Sequence, residues 1–455
     1  MIINFHSLRL IEILHYLCMQ MTELPVEFTT STRRLMGEER FGRYLQSFEK
    51  EVPVSIRLNP RKPAGQPIDR EEVPWCRHAY YLKSRPNFTF DPLFHAGCYY
   101  VQEASSMFLD EIIRQLLNSG SKLSTLNIPE QSSPTRSLSQ LSTLDLCAAP
   151  GGKSTLLRSA LPEDGVLYSN EPIRNRANIL AENVQKWGYP NHFVTNVYPD
   201  VYRRSKLRFD IILCDVPCSG EGMFRKDEAT IREWSPQNVE KCWRLQREIV
   251  ADAWECLNDG GLLIYSTCTF NTKENEENIH WILSEYDAEV LEIETKPEWH
   301  ITGSLLEGFN EPVYRFIPGI TRGEGLFVCV LQKAPKKSQQ GLRRIVPRHG
   351  THSPKAWNAQ SQGMELLVPS NGTNEQNASY PQVALTYPQA MAYLRHEALV
   401  LPEDTPRGLV EVCFLGHPLG LAKNIGNRAN NLYPKEWKIK TTHIPDEYEP
   451  ILKQI

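Results

Sequence analysis

Apolar and polar positions fall into two rhythms along this chain. Between 30 and 48 they recur at helical spacing, after which Val54-Ser55-Ile56-Arg57-Leu58 reads as a strand followed by proline-punctuated turns. Met107, Phe108, Ile112, Ile113, Leu116 and Leu117 then line one face of a helix. From Thr143 onward the rhythm changes, and short apolar runs recur at 143–146, 165–169, 192–197, 209–214 and 262–266 with helical stretches between several of them. Continuous apolar runs suit strands buried on both faces, and parallel strands need helical crossovers. The alternation therefore predicts an α/β core: a doubly wound, Rossmann-like parallel sheet with helices on both sides.

Punctuation refines the elements. Ser235 is placed to cap a helix from Pro236 to Leu257, with Asp259-Gly260-Gly261 ending it and Trp243, Ile249, Val250 and Leu257 as its core positions. Asn271 and Glu274 have capping-box spacing, which predicts a helix opening in the run from Lys273 to Asn278. The stretch 120–143 is rich in Ser, Thr, Pro and Gln and reads as a loop. A polar stretch follows the core, carrying Lys336, Lys337, Arg343, Arg344 and Arg348, and reads as a linker. Beyond Ala384, short apolar runs such as 409–415 alternate with turns, which predicts a small β-rich unit. The expected organisation is an upstream extension at 1–20 with Met21 as an alternative start, a small α+β domain at 21–95, the α/β domain at 96–333, the linker at 334–380 and the β-rich domain at 381–455.

Composition sets limits on these readings. A chain of 455 residues with 41% hydrophobic and 23% charged residues is globular, and a net charge of -4 leaves nucleic-acid binding to local basic patches. Eleven cysteines, an odd number without repeated spacing, argue against a secreted disulfide framework and for a reducing cytoplasm. No CxxC or neighbouring His completes a zinc set around Cys214 and Cys218, so no metal is expected. The apolar run at 11–21 is broken by Glu12 and His15, so no membrane span is expected either.

Candidate chemistry gathers at strand ends. The run Thr143 to Cys147 leads into Ala148-Ala149-Pro150-Gly151-Gly152-Lys153 and then a helix, the strand, glycine turn and helix of a nucleotide-type cofactor site. Gly152-Lys153-Ser154 also suggests a phosphate loop, but Cys147 occupies the position of its first glycine. Glu171 stands 20 positions after Gly151, where an acid accepts from ribose hydroxyls; the competing reading is an exposed helix-capping acid. Asp215 ends an apolar strand, with Cys218 just beyond it in the flexible turn Ser219-Gly220-Glu221-Gly222. Cys268 follows the next strand. Singly, each thiol reads as a small buried hydrophobe. Together, at the edge that carries the cofactor loop, they read as a nucleophile and its partner for covalent catalysis on an electron-poor ring. Cys147, Cys214 and Cys256 remain structural as thiols.

Three long stretches, LDLCAAPGGKS at 144–154, DVPCSGEGMFRKD at 215–227 and YSTCTFN at 265–271, make the chain resemble the RNA cytosine-5 methyltransferases of the Sun type. Ser55 to Asn59, Gln102 to Met107 and Pro418 to Lys423 extend the resemblance from about 22 to 440, toward the bacterial members that act on small-subunit (16S) ribosomal RNA. The resemblance implies S-adenosyl-L-methionine held by Cys147, Ala148, Ala149, Pro150, Gly151, Gly152 and Lys153, with Glu171 on the ribose and Asp215 beside the methyl donor and the target base. It implies Cys268 as nucleophile, Cys218 as the cysteine that releases product, Lys153 as a further aid, a PUA-like C-terminal RNA-binding domain and a cytoplasmic monomer acting on RNA. One departure is Thr195-Asn196-Val197-Tyr198, where the family often carries an acid for the adenine side. Asn196 and Asp200 stand nearby, and that contact is left unassigned. The C-terminal region is also shorter than in the fullest relatives.

The base chemistry fits two thiols. Carbon 5 of cytosine is a weak nucleophile, and thiolate attack at C6 makes it enamine-like before methyl transfer. The target must be unpaired or flipped. Arg225 and Lys226 near Cys218, and Lys423, Arg428, Lys435 and Lys438 farther off, are candidate RNA contacts. Transfer RNA remains the competing substrate. A phosphate-loop ATPase and a non-catalytic RNA-binding module are the competing classes.

Overall fold

The computed structural model describes residues 24–68, 70–118, 141–335, 366–368, 380–441, 443–445 and 447–453. The extension 1–20, nearly all of the loop 120–143 and the basic cluster from Lys336 to Arg348 lie outside the described residues.

The central sheet is built from β1 (Ser142–Asp145), β2 (Val166–Asn170), β3 (His192–Thr195), β4 (Phe209–Asp215), β5 (Leu257–Thr267), β6 (Ala288–Val290) and β7 (Leu326–Lys333). Their spatial order is β6-β7-β5-β4-β1-β2-β3, with Leu366–Val368 added beside β3 and Tyr314–Phe316 beside β7. Strands β1 to β5 run parallel to one another, with Leu366–Val368 antiparallel to β3 and β7 antiparallel to β5. Period-two alternation divides each central strand between two cores. Ile211, Leu213, Leu262 and Ile264 face α1 (Phe108–Asn118) and α2 (Gly152–Ala160). Ile212, Cys214, Leu263 and Tyr265 face α4 (Pro236–Cys256) and α5 (Glu276–Glu285), while α3 (Arg174–Trp187) follows β2. Each buried Leu or Ile contributes about 1.5–3 kcal/mol. The strand order reverses between β1 and β4, which places a crevice at their carboxyl ends, as doubly wound sheets do.

Two smaller units pack against this domain. The helices Val26–Met36 and Glu38–Gln46 bury Phe28, Phe41 and Tyr44 against Phe224, Trp234 and Phe270. Val54–Leu58 pairs with Ala79–Leu82 and Tyr99–Val101 in a four-stranded sheet. The C-terminal unit is a four-stranded sheet with a helix, Tyr387–Leu394, whose start is closed by a Thr386/Gln389 capping box. Its core is continuous with that of the N-terminal sheet: Ile56, Leu93 and Tyr99 join Val383, Met391, Val410 and Leu452. Among the described residues no helix is long and apolar enough to cross a membrane.

Several local expectations are revised. The helical pattern from 30 to 48 is two helices, because Gly37 turns the backbone to a φ of 76° between them. Ser235 caps α4 as its spacing predicts, accepting from Asn238 N at 3.1 Å, but Leu257 already belongs to β5, which bends through Gly260 (φ 79°) before regaining register at Leu262. Trp243 is only half-buried, with Arg247 4.2 Å and Lys273 4.7 Å from its ring. Asn271 and Glu274 bond reciprocally and the helix opens within 273–278 as expected, at Glu276, but its N-cap is Asn275 and Glu274 is buried against other partners.

Candidate active site

The crevice floor is the β1–α2 loop. Leu146 N donates to Leu213 O at 3.0 Å and Ala148 N to Asn170 O at 2.8 Å, which ties the loop to both flanking strands. Gly151 has a φ of 112°, and a Cβ there would meet Leu180 Cδ1 at 3.1 Å, so glycine is what lets the turn lie on α3. Helix α2 opens at Gly152 and presents its first amides toward the crevice. Glu171, at the end of β2, is 1% exposed; its Oε1 accepts from Ile173 N at 3.0 Å and its Oε2 lies 3.3 Å from Arg176 Nη1. It thus starts the turn into α3 with its carboxylate buried, unlike the exposed capping acid of the competing sequence reading. Asn196 is anchored through its amide nitrogen, which donates to Glu171 O and Pro172 O. Asp200 pairs with Arg204 at 2.7 Å.

Beyond the loop lies the reactive group of residues. Parallel register sets Ser266 of β5 opposite Asp215 of β4. Ser266 Oγ donates to Asp215 Oδ1 at 2.7 Å, and Lys153 Nζ donates to Asp215 Oδ2 at 2.8 Å. Burial alone would lower the Lys153 pKa, but the Asp215 carboxylate and its hydrogen bond, aided by Cys268, hold it above its ordinary value. Lys153 is thereby kept as an ammonium beside the thiols. Burial pushes the neighbouring Asp145 carboxyl up to about 7, against the hydrogen bond it accepts from Ser154 at 2.5 Å.

Cys218 Sγ and Cys268 Sγ are 3.3 Å apart, both half-buried and both free. Their hydrogen bond, followed by burial, raises the Cys218 pKa well above the thiol range. Either sulfur can donate in this contact, and a proton on one stabilises negative charge on the other. Cys147 lies at the loop start, half-buried, and burial followed by Cys214 raises its pKa well above the usual value, so it stays neutral.

Two buried carboxylates fix the cysteine loops. Glu221 accepts from Phe270 N at 2.7 Å, Asn271 N at 2.9 Å and Trp234 Nε1 at 3.0 Å. Glu274 accepts from Ser219 N at 3.0 Å, Gln246 Nε2 at 2.7 Å and Asn271 Nδ2 at 2.8 Å; burial lifts its pKa to about 7. The segment Ser219–Gly222, expected as a flexible turn, is in fact anchored, since Gly222 N donates to Cys268 O at 2.7 Å. Ser266, Glu221 and Glu274 were not anticipated as site residues. Arg225 is also reassigned: it forms a buried pair with Glu324 at 2.6 Å, their side chains 6% and 2% exposed, and is no free RNA contact. Lys226, Lys423, Arg428, Lys435 and Lys438 are exposed.

Fold and site define a Rossmann-like methyltransferase, whose methyl donor is S-adenosylmethionine. The residues fit that group: a loop of small residues at a helix start, and a buried acid on the adjacent strand. Family models tile the chain, 16S rRNA methyltransferase RsmB/F over residues 138–332, the N-terminal domain of 16S rRNA methyltransferase RsmF over 24–104 and the methyltransferase RsmF PUA domain over 380–439. The chain belongs to this RsmB/F family. It is 26% identical over 484 aligned positions to the ribosomal RNA small subunit methyltransferase F of Erwinia tasmaniensis, covering 90% of this chain and 96% of the relative. With the enzyme of the same name from Pectobacterium carotovorum it shares 29% identity over 68% of this chain, spanning 63% of that relative's length. A solved methyltransferase homolog from Pyrococcus horikoshii is 26% identical with a TM-score of 0.54, covering 69% of this chain and 96% of its own.

Proposed function

We propose that this protein methylates C5 of an unpaired cytosine in small-subunit (16S) ribosomal RNA, using S-adenosylmethionine and a transient covalent bond from Cys268 to C6 of the base. The observation that carries the reading is the 3.3 Å pair of free thiols beside the Lys153–Asp215 ion pair at the carboxyl edge of the sheet. Bound S-adenosylmethionine supplies an electrophilic methyl group on a sulfonium. The loop Cys147 to Lys153 would hold it with Glu171 toward its ribose, and Asp215 would lie between donor and base.

The chain's own residues then divide the work. Cys268 attacks C6 as a thiolate, and the Lys153 ammonium favours that charge through space. Asp215, oriented by Lys153 and Ser266, accepts from the exocyclic N4 amine and fixes the ring. Once C5 carries the methyl group, loss of the C5 proton drives elimination of Cys268 and restores the aromatic ring. Cys218, within hydrogen-bond reach of the departing sulfur, assists by donating its thiol proton to the Cys268 thiolate as it leaves, while the C5 proton passes to a base or water in the crevice. Extruding the cytosine costs a few kcal/mol, least when it is already unpaired. The N-terminal and PUA units would supply RNA contacts, with Lys226, Lys423, Arg428, Lys435 and Lys438 exposed for phosphates.

The test is methyl transfer from labelled S-adenosylmethionine to purified 16S ribosomal RNA, small subunits and transfer RNA, followed by nucleoside analysis. Label in 5-methylcytidine of the ribosomal RNA is the expected result. Label in transfer RNA alone would overturn the substrate, and label in any other nucleoside would overturn the chemistry.

A further inference from the structure

Arg57 is a buried cation without a counter-ion of its own. Its side chain lies at the join of the N-terminal sheet and α2, and the residue is 3% exposed. Nε donates to Gln102 Oε1 at 2.9 Å, and Nη2 donates to Thr155 Oγ1 at 2.7 Å and Gly152 O at 3.3 Å; all three acceptors are neutral. Its carbon CZ stacks 4.4 Å from the Trp187 ring. Nη1 has no hydrogen-bond partner among the described residues, and Arg57 lines a cavity of about 180 Å³ together with Leu58, Pro60, Arg77, His78, Asp110, Leu156 and Ser159. The acid in that lining, Asp110, is engaged by Arg77 through Nε at 3.0 Å, Nη2 at 2.9 Å and the backbone N at 3.1 Å.

Burying a charge without a paired opposite charge is costly, and a cation–π contact returns only part of that cost. Burial accordingly pulls the Arg57 pKa down to about 10. We propose that this cavity, between the N-terminal sheet and α2, is a binding site for a single phosphate group that Arg57 receives through Nη1. A phosphate fits the observations better than a whole nucleotide, because drug-sized ligands need about 300 Å³ or more. A guanidinium fork suits a tetrahedral oxyanion. The mouth residues Pro60, Arg77 and His78 are exposed, so the group can arrive free or as part of an RNA backbone. Because Nη2 of the same guanidinium grips Gly152 and Thr155, an occupant would be linked to the first turn of α2. The site stands independently of the reaction assigned above.

The test measures thermal unfolding of the full chain in inorganic phosphate and, at matched ionic strength, in chloride. A saturable rise in the midpoint with phosphate is expected, beyond any chloride effect. His78→Asp places a carboxylate at the mouth; its position has a φ of 57°, which Asp tolerates. It should leave the phosphate-free transition cooperative and weaken phosphate by roughly tenfold or more through like-charge repulsion. Equal, non-saturating midpoints in phosphate and chloride, or an unchanged phosphate response in His78→Asp, would overturn the site. Filter retention of 16S ribosomal RNA identifies the source. Competition by phosphate, together with weaker retention by His78→Asp, supports the site as one for an RNA backbone phosphate. Retention unaffected by either, with the saturable midpoint shift intact, supports it as one for free phosphate.

Discussion

Asp215 is held from both sides, by Lys153 at 2.8 Å and by Ser266 at 2.7 Å. The lysine sets its charge environment, while the serine sets the direction in which the other oxygen can accept. A hydrogen bond to a charged group contributes about 1.5–3 kcal/mol. Ser266→Ala is therefore expected to lower kcat/KM for methyl transfer about tenfold to a hundredfold, with Ser266→Thr restoring most of it, in steady-state assays. Burial, with a smaller contribution from Arg158, pushes His192 down to about 3, and it stays neutral beside Ser169 Oγ at 2.8 Å. The unfolded chain binds a proton there below about 6.5, the ordinary histidine value, and the folded chain does not until about 3. That share of stability is present above 6.5 and is lost as pH falls through the window, at about 1.4 kcal/mol per unit. His192→Gln should flatten the fall in unfolding free energy between pH 6 and 4.5 by that slope, as read in denaturant melts.

At the scale of elements, the two cysteine loops are joined by backbone. A Cβ on Gly222 would meet Cys268 O at 2.6 Å and Gly325 Cα at 2.8 Å, neither of which is the end of a flexible side chain. Gly222→Ala should separate the thiols, cost about 1–3 kcal/mol of stability in equilibrium unfolding and suppress methyl transfer out of proportion to that loss. The same closeness explains what could be read in the sequence. Cys218, Cys268, Asp215, Lys153 and Glu171 were legible because each follows an apolar strand at the ligand edge of the sheet, a local pattern. Ser266, Glu221 and Glu274 were not, because their meaning lies in partners about 50 positions away that only the β4–β5 register brings together. Helix limits failed where tertiary contacts outweighed spacing. Leu257 joins β5 although it continues the α4 pattern, and Glu274 is drawn from a helix start into the site.

On the scale of the whole molecule, the two terminal units share one core and the helices at the N-terminus brace the active loops. Tyr99 and Tyr448 both donate to Asp91, at 2.7 and 3.1 Å, and Leu452–Lys453 pairs with Gln66–Pro67. Deleting residues 380–455 would uncover Ile56, Leu93 and Tyr99, and should lower the unfolding midpoint of the remaining chain in scanning calorimetry. Tyr44, 5.4 Å from Phe270, carries the same support to the Cys268 loop. In the proposed reaction two thiols divide the labour, and one measurement tests that directly. Cys218→Ala and Cys268→Ala proteins are each incubated with 16S ribosomal RNA and S-adenosylmethionine, then run on denaturing gels. A covalent protein–RNA band is expected with Cys218→Ala and none with Cys268→Ala, both lacking turnover. A band with Cys268→Ala and none with Cys218→Ala would contradict that division.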